Sequence, residues 1–147
     1  MADSKTQLKI EKWIRIMWLP RVYGQSFTEE RLQLISGGNF NFDAVSADRS
    51  IVANISTSSS RTASGKRATG KIHKLRGDIL FLIMVKADKR LIVLSENDMY
   101  DFLLTEKENG RIPEEIGFVH ALIPDDLKKE LLVAKKIAAQ EVTPKTH

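Results

Sequence analysis

The sequence predicts a single α/β domain in which one mixed central sheet is flanked by helices. The chain has 147 residues, which is enough for one domain and one core. Apolar residues alternate with polar ones in some segments, as in strands, and recur at helical spacing in others. The two kinds of segment are interleaved along the chain, and this interleaving is typical of helices packed on a sheet.

Two helices are predicted before the first strand. Apolar residues in 5–19 follow helical spacing, and Pro20 is expected to end this helix because proline disfavours the α conformation in the residue before it. A second helix is predicted over 29–35, since Thr28 can cap its start and Gly37 can end it.

The segments 40–46 and 51–57 are predicted to be two strands of a hairpin, joined by the polar turn 47–50. In the first strand Phe40 and Phe42 alternate with polar residues. In the second, successive residues are expected to face opposite sides of the sheet.

The second half of the chain predicts more sheet and two more helices. Residues 78–86 form a nearly continuous apolar run, which predicts a strand buried on both faces, and 90–94 predicts its neighbour. A helix capped by Ser95 is predicted over 96–109, then an edge strand over 116–123, and a last helix after Pro124. The predicted domain, 1–147, divides into N-terminal helices (1–39), a core sheet with a basic loop at 58–77 (40–94), C-terminal helices with an edge strand (95–140) and a tail (141–147).

Composition excludes several classes of site. The chain has no cysteine, so disulfides, thiolate metal sites and cysteine nucleophiles are impossible. The longest apolar run has seven residues, against about twenty for a membrane-spanning helix, and no apolar leader is present. We therefore expect a cytoplasmic protein without a membrane partner. His73, His120 and His147 are scattered, and His120, within an apolar strand, is interpreted as structural.

Charge is concentrated in one segment. Between Asp48 and Asp78 there is no acidic residue, and the segment carries +7 within a chain of net charge +4. Such a block predicts a polyanionic partner, and we expect nucleic acid, with DNA favoured. A solvated loop without a partner is the alternative. The predicted nucleic-acid-binding residues are Arg49, Arg61, Lys66, Arg67, Lys71, His73, Lys74 and Arg76.

The hairpin carries the most informative motif. Asp43 in its first strand is followed, eleven residues later, by Asn54-Ile55-Ser56 in its second. Over residues 40–94 this pattern resembles the restriction-endonuclease-like, or PD-(D/E)XK, superfamily, in which an Asp precedes an acid-x-Lys triplet on the next strand. The resemblance implies a nuclease whose two carboxylates hold Mg²⁺ and whose lysine orients water or stabilises the phosphorane.

Two positions depart from that pattern. Asn54 stands where the second acid is expected and Ser56 where the lysine is expected, so one carboxylate remains. The sequence therefore predicts a nucleic-acid-binding protein with weak Mg²⁺ binding and weak or no catalysis. The candidate catalytic residues are Asp43, Asn54, Ser56 and Lys71, and Asp43 is the predicted metal ligand.

Other interpretations stay open. An active Mg²⁺- or Mn²⁺-dependent nuclease would need a rearranged site, with a displaced acid and a displaced lysine beside Asp43. A protein-interaction module without nucleic acid is the third possibility, a homodimer is compatible with the sequence, and Asp43 can instead cap the turn 47–50. The candidates for the displaced groups are Glu11, Glu29 and Glu30 for the acid and Lys66, Lys71 and Lys74 for the lysine.

Overall fold

One five-stranded mixed sheet organises the computed structural model, which describes residues 4–142. The strands lie in the order β1-β2-β3-β4-β5; the first three are antiparallel neighbours, and β3, β4 and β5 are parallel. The predicted α/β class with a single mixed sheet is confirmed. In chain order the elements are α1 (Ser4–Trp13), a π-helical segment (Ile14–Trp18), α2 (Leu19–Tyr23), β1 (Phe27–Gln33), β2 (Asn39–Ser46), β3 (Ile51–Ser56), α3 (Thr69–Ile83), β4 (Lys89–Leu94), α4 (Asn97–Glu108), β5 (Ile116–His120) and α5 (Asp125–Val142).

Helices cover both faces of the sheet and create two cores. Val52 and Ile92 lie in the core beneath α3 and α4, whereas their neighbours Ala53 and Val93 lie in the core beneath α1 and α5. Successive residues of β3 thus face opposite sides, as the alternation predicted. None of the helices within residues 4–142 combines the length and apolarity that a membrane span requires.

The predicted hairpin of β2 and β3 is confirmed. The strands pair antiparallel, with Ala44 opposite Ala53. Asp48 closes the turn, because its carboxylate accepts hydrogen bonds from the Ser50 amide at 2.9 Å and the Ser50 hydroxyl at 2.7 Å. These bonds, with one from Ser46, lower the pKa of Asp48 to about 2. Asp48 therefore caps this turn, and the alternative that Asp43 does so is wrong.

The helix predicted over 29–35 is wrong, because this segment belongs to strand β1 and the turn after it. β1 pairs antiparallel with β2, from Phe27 opposite Ser46 to Gln33 opposite Asn39. Gly37, which was expected to end a helix, instead lies in the turn between β1 and β2 at φ +100°. The region 1–39 therefore contains one strand besides its helices.

The strand predicted over 78–86 is also wrong, because α3 runs from Thr69 to Ile83. Its buried apolar residues Ile72, Leu75, Ile79 and Leu82 are three, four and three positions apart, which is one face of a helix. A continuous apolar run has no period that separates a buried strand from a helix. The predicted basic loop 58–77 is accordingly half helical.

The first helix continues through Pro20 instead of ending before it. The Leu19 amide donates to the Ile14 carbonyl, a five-residue π-type hydrogen bond, and Pro20 lies in the first turn of α2. A missing amide hydrogen is tolerated at that position. The helix ends at Gly24, which adopts φ +73°.

The C-terminal elements follow the prediction with small differences. β4, α4, β5 and α5 lie within one to three residues of the predicted positions. The residue before α4 is Glu96 and not Ser95, and it makes no side-chain capping bond. Of the predicted tail, 141 and 142 belong to α5, and 143–147 lie outside the described residues.

Truncating a buried leucine of α3 should destabilise the protein far more than truncating its exposed neighbour. Leu82 is 0% exposed and Leu80 is 54% exposed. We expect Leu82→Ala to cost about 2–5 kcal/mol in the free energy of unfolding and Leu80→Ala less than about 0.5 kcal/mol. Urea unfolding of both variants checks this, and similar large losses would instead indicate a strand buried on both faces.

Candidate functional site

A cavity of about 380 Å³ opens where β3 ends, between α1 on one face of the sheet and α3 on the other. In sheets with parallel strands, ligands commonly bind beyond the carboxyl ends of the strands. Most of its polar lining comes from the candidate residues of the sequence or their close neighbours. The lining residues are Gln7, Leu8, Glu11, Asp43, Ile55, Ser56, Thr57, Ser58, Lys71, Lys74 and Leu75.

A β-bulge in β2 sets the direction of Asp43. Three residues of β1, from Thr28 to Glu30, lie opposite four residues of β2, from Val45 to Phe42. The extra residue in β2 falls at Asp43 or the alanine after it. Bulges of this kind redirect side chains and are frequent beside active sites.

Three contacts fix Asp43 in place. Its carboxylate Oδ2 accepts the Ile55 amide hydrogen at 2.8 Å, and its own amide donates to Asn54 Oδ1 at 3.2 Å. Its carbonyl oxygen accepts from Arg15 Nη1 at 3.1 Å. β3 therefore holds the carboxylate of Asp43 at the cavity, and the first helix holds its backbone carbonyl.

Glu11 in α1 supplies a second carboxylate to this cavity. Burial, the negative charge of Asp43 and a hydrogen bond to Asp43 raise the pKa of Glu11 to about 7, and Glu29 adds to the rise. The positive charge of Arg15 opposes them. We call Glu11 and Asp43 the carboxylate pair. Of the three displaced acids that the sequence offered, Glu11 is the one that lines the cavity with Asp43. Glu29 and Glu30 are not in the lining, and Glu30 pairs with Arg49.

Asn54 and Ser56 occupy different surroundings. Ser56 lines the cavity, and its hydroxyl oxygen accepts the Ser58 amide hydrogen at 3.3 Å. Asn54 is 2% exposed and supports the backbone of Asp43. Its amide nitrogen has no hydrogen-bond partner among the described residues. Asn54 therefore helps to position Asp43 and does not itself line the cavity.

Lys71 and Lys74 bring positive charge to the cavity from α3. Lys74 Nζ lies 3.1 Å from Asp78 Oδ2, and burial raises the pKa of Asp78 while Lys74 opposes that rise. No salt bridge among the described side chains involves Lys71. Lys71 is therefore the better placed of the two to meet an anionic ligand.

Residues 57–68 form an ordered loop beside the cavity, which we call the basic hairpin. Arg61 and Arg67 form an antiparallel bridge, and the Thr62 amide donates to the Lys66 carbonyl at 2.7 Å. Gly65 adopts φ +84° in the turn, a conformation that glycine reaches without steric cost. Arg61, Lys66 and Arg67 are exposed on this hairpin.

The basic hairpin is docked on α4. The carboxylate of Asp98 accepts hydrogen bonds from Ser59 and from the amide and hydroxyl of Ser60, the latter two at 2.9 Å. Burial acts to raise the pKa of Asp98, but these hydrogen bonds outweigh it and the pKa lies below its ordinary value. The Arg67 guanidinium lies 4.5 Å from the centre of the Phe102 ring. The hairpin therefore presents its charges from a fixed position.

The remaining basic residues of the +7 segment lie elsewhere or have partners. Arg49 is in the turn at the opposite end of β3 and pairs with Glu30. Arg76 lies 2.6 Å from the buried Glu106, and this hydrogen bond is the main cause of the lowered pKa of Glu106. His73 is exposed on α3. Of the basic residues in this segment, only Lys71 and Lys74 line the cavity.

The other two histidines are not part of this site. His120 Nε2 lies 3.3 Å from the Ser95 carbonyl oxygen, and its ring stacks on Tyr100 with centroids 5.6 Å apart. His147 lies outside the described residues.

The carboxylate pair fits a divalent ion that is shared with a substrate. Among the described residues, no group of three or more His, Cys, Asp or Glu side chains is arranged to hold a metal. Mg²⁺ is usually bound through one or two carboxylates and completes its shell with water and substrate phosphate. Glu11 and Asp43 can meet that requirement once Glu11 has lost its proton, which happens at about pH 7.

Comparisons with protein-family models, with curated proteins and with solved structures find no match to this chain.

Proposed function

We propose that the chain is a metal-dependent nuclease of restriction-endonuclease-like architecture with a rearranged active site. The observation that carries this proposal is the contact between Glu11 and Asp43 in a cavity that Lys71 also lines. The hairpin sequence alone favours a weak or inactive site because Asn54 and Ser56 replace an acid and a lysine. A carboxylate from α1 and a lysine from α3 supply the same chemical groups from other elements.

Asp43 and Glu11 would hold the divalent ion. Bound there, Mg²⁺ or Mn²⁺ supplies positive charge that polarises the scissile phosphate and lowers the pKa of a coordinated water. Glu11 loses its proton around pH 7, so it carries a negative charge in mildly alkaline solution. The site is therefore best prepared for a cation above neutral pH.

Lys71 would stabilise negative charge on the phosphate. It lines the cavity without a salt-bridge partner among the described side chains, whereas Lys74 is held by Asp78. A cation held where negative charge develops lowers the energy of the transition state.

The basic hairpin would bind the nucleic-acid backbone beside the cavity. Arg61, Lys66 and Arg67 are exposed and held in place by the contacts to α4. Lysine and arginine contacts to phosphates give affinity that depends on salt and carries little sequence information. DNA is the favoured partner, and we expect broad sequence tolerance.

Neutralising the hairpin should weaken binding and flatten its salt dependence. We expect the triple variant Arg61→Gln, Lys66→Gln, Arg67→Gln to lower the slope of log K against log salt by about 0.9 for each phosphate that it no longer neutralises. Fluorescence anisotropy with a duplex oligonucleotide measures this. The matched control is Lys86→Gln, Lys128→Gln, Lys129→Gln, exposed lysines away from the hairpin, and an equal change in both triples would contradict the assignment.

Lys71 and Lys74 should differ in their effect on cleavage. Loss of one positioned charge-stabilising group costs about 10²–10³ in rate at comparable sites, and we expect Lys71→Met to fall in that range and Lys74→Met to lose less than about tenfold. Plasmid nicking in Mg²⁺ and Mn²⁺ provides the measurement. DNA binding without cleavage by the wild-type protein would favour a non-catalytic binding module, which Asn54 and Ser56 on β3 also suit.

A further inference from the structure

Arg15 occupies an unusual position in the first helix. It lies one turn after Glu11 and inside the π-helical segment Ile14–Trp18. Ile10, Ile14 and Leu19 are all fully buried although the last two are five residues apart. The π turn absorbs the additional residue, so the helix keeps its apolar side on the core and leaves the half-buried Arg15 on the side of Glu11.

Arg15 contacts the strand that carries the other carboxylate. Its Nη1 donates to the Asp43 carbonyl oxygen at 3.1 Å, so a residue of the first helix is bonded to the bulge of β2. The same guanidinium lies close enough to Glu11 to act on its charge. Arg15 thus joins the helix that carries Glu11 to the strand that carries Asp43.

We propose that Arg15 is a positioning residue that fixes the distance between Glu11 and Asp43 for a divalent cation. This inference rests on the proposed function. The two carboxylates come from a helix and a strand that are distant in sequence, and core packing of Ile10 and Ile14 sets the general position of that helix. A polar contact beside the pair would fix the position more narrowly. The Arg15 bond to the Asp43 backbone supplies it without occupying a carboxylate oxygen of Asp43.

If Arg15 acted only through its positive charge, its removal would strengthen cation binding instead of weakening it. Arg15 is a positive charge beside a cation site, so its removal alone should strengthen cation binding. The other charges around the pair, on Glu29, Lys71, Lys74 and Asp78, are unchanged by that substitution. A weaker cation affinity after removal of Arg15 therefore indicates positioning, and a stronger affinity indicates charge alone.

Calorimetric titration of the full chain with Mn²⁺ tests the proposal. We expect Arg15→Met to raise the Mn²⁺ Kd about 10–100-fold, the range seen for partners that orient metal ligands, and Arg15→Lys to recover part of the affinity. Lys12→Met removes an exposed charge from the same helix and should change the Kd less than twofold. Urea unfolding of each variant confirms that the fold persists, and if Arg15→Met does not fold, Arg15→Lys decides.

The outcomes separate this inference from the proposed function. Equal or tighter Mn²⁺ binding by Arg15→Met, or an unchanged Kd in Arg15→Lys where Arg15→Met does not fold, overturns the positioning role alone. A wild-type chain that does not bind Mn²⁺, either by itself or with a duplex oligonucleotide present, overturns the proposed function and the role of Arg15 with it.

Discussion

Asp43→Asn and Glu11→Gln should each lower the rate of DNA cleavage by at least about a hundredfold. Each substitution replaces a carboxylate that would contact the ion directly, and even residues that only orient metal ligands cost 10–100-fold when they are changed. Asn and Gln preserve the volume of the side chains, so the cavity should keep its shape. Plasmid cleavage in Mg²⁺ and in Mn²⁺, with the three proteins side by side, measures the effect.

Glu29→Gln is the matched control for this assay. Glu29 acts on the charge of Glu11 from β1 but does not line the cavity. Its replacement should change the cleavage rate less than tenfold. Robust cleavage that survives Asp43→Asn would remove the carboxylate pair as the active site.

Glu11→Gln should also make the protein more stable, with an advantage that develops between about pH 4.5 and pH 7 and persists above that range. The pKa of Glu11 is about 7 in the folded protein against 4.5 as its ordinary value. Between these values the folded state binds more protons than the unfolded state, so the free energy of unfolding falls as pH rises through this window. Because glutamine has no proton to lose in this range, the free energy of unfolding of the variant does not fall with it.

Urea unfolding at pH 4 and at pH 8 measures this change. The stability advantage of Glu11→Gln over the wild-type protein should be larger at pH 8 than at pH 4. Saturating Mn²⁺ should reverse the order at pH 8, because an ion that binds only the folded wild-type protein stabilises it by mass action. A difference between the two proteins that is the same at both pH values would show that Glu11 is not the group that titrates.

The β2–β3 hairpin is predictable because local alternation and a polar turn specify it. Phe40 and Phe42 alternate with polar residues, and the Asp48 turn follows at the expected place. The sequence also identifies Asp43 as a candidate site residue, because it lies in this predicted strand. The bulge that aims Asp43 depends on pairing with β1, whose sequence predicts a helix, so local pattern does not reveal the orientation of this side chain.

The segments whose predicted structure is wrong depend on tertiary packing. Ile79 and Leu82 belong to a continuous apolar run, and only the sheet beneath α3 distinguishes its buried side from the exposed Leu80. In the same way, the contact between Glu11 and Asp43 joins residues far apart in sequence. Glu11 is one of three acids that the sequence offers, and folding is what selects it.

Within residues 4–142, only some of the basic residues between Asp48 and Asp78 are free of acidic partners and near the cavity. A run without acidic residues predicts one phosphate-binding face, but Arg76 is bound by Glu106 from α4 and Arg49 lies at the far end of β3. These partners come from outside the run, so its local composition does not reveal them. Lys71 lines the cavity, and Arg61, Lys66 and Arg67 are exposed on the basic hairpin that adjoins it.

The central claim is that Glu11 and Asp43 together hold one divalent ion. Titration calorimetry with Mn²⁺ at pH 8, on the wild-type chain, Glu11→Gln and Asp43→Asn, with a duplex oligonucleotide present throughout, tests it most directly. We predict one ion per wild-type chain, competition by Mg²⁺, and at least tenfold weaker binding in each variant. Binding that is equally tight in all three proteins, or absent from the wild-type chain, would contradict it.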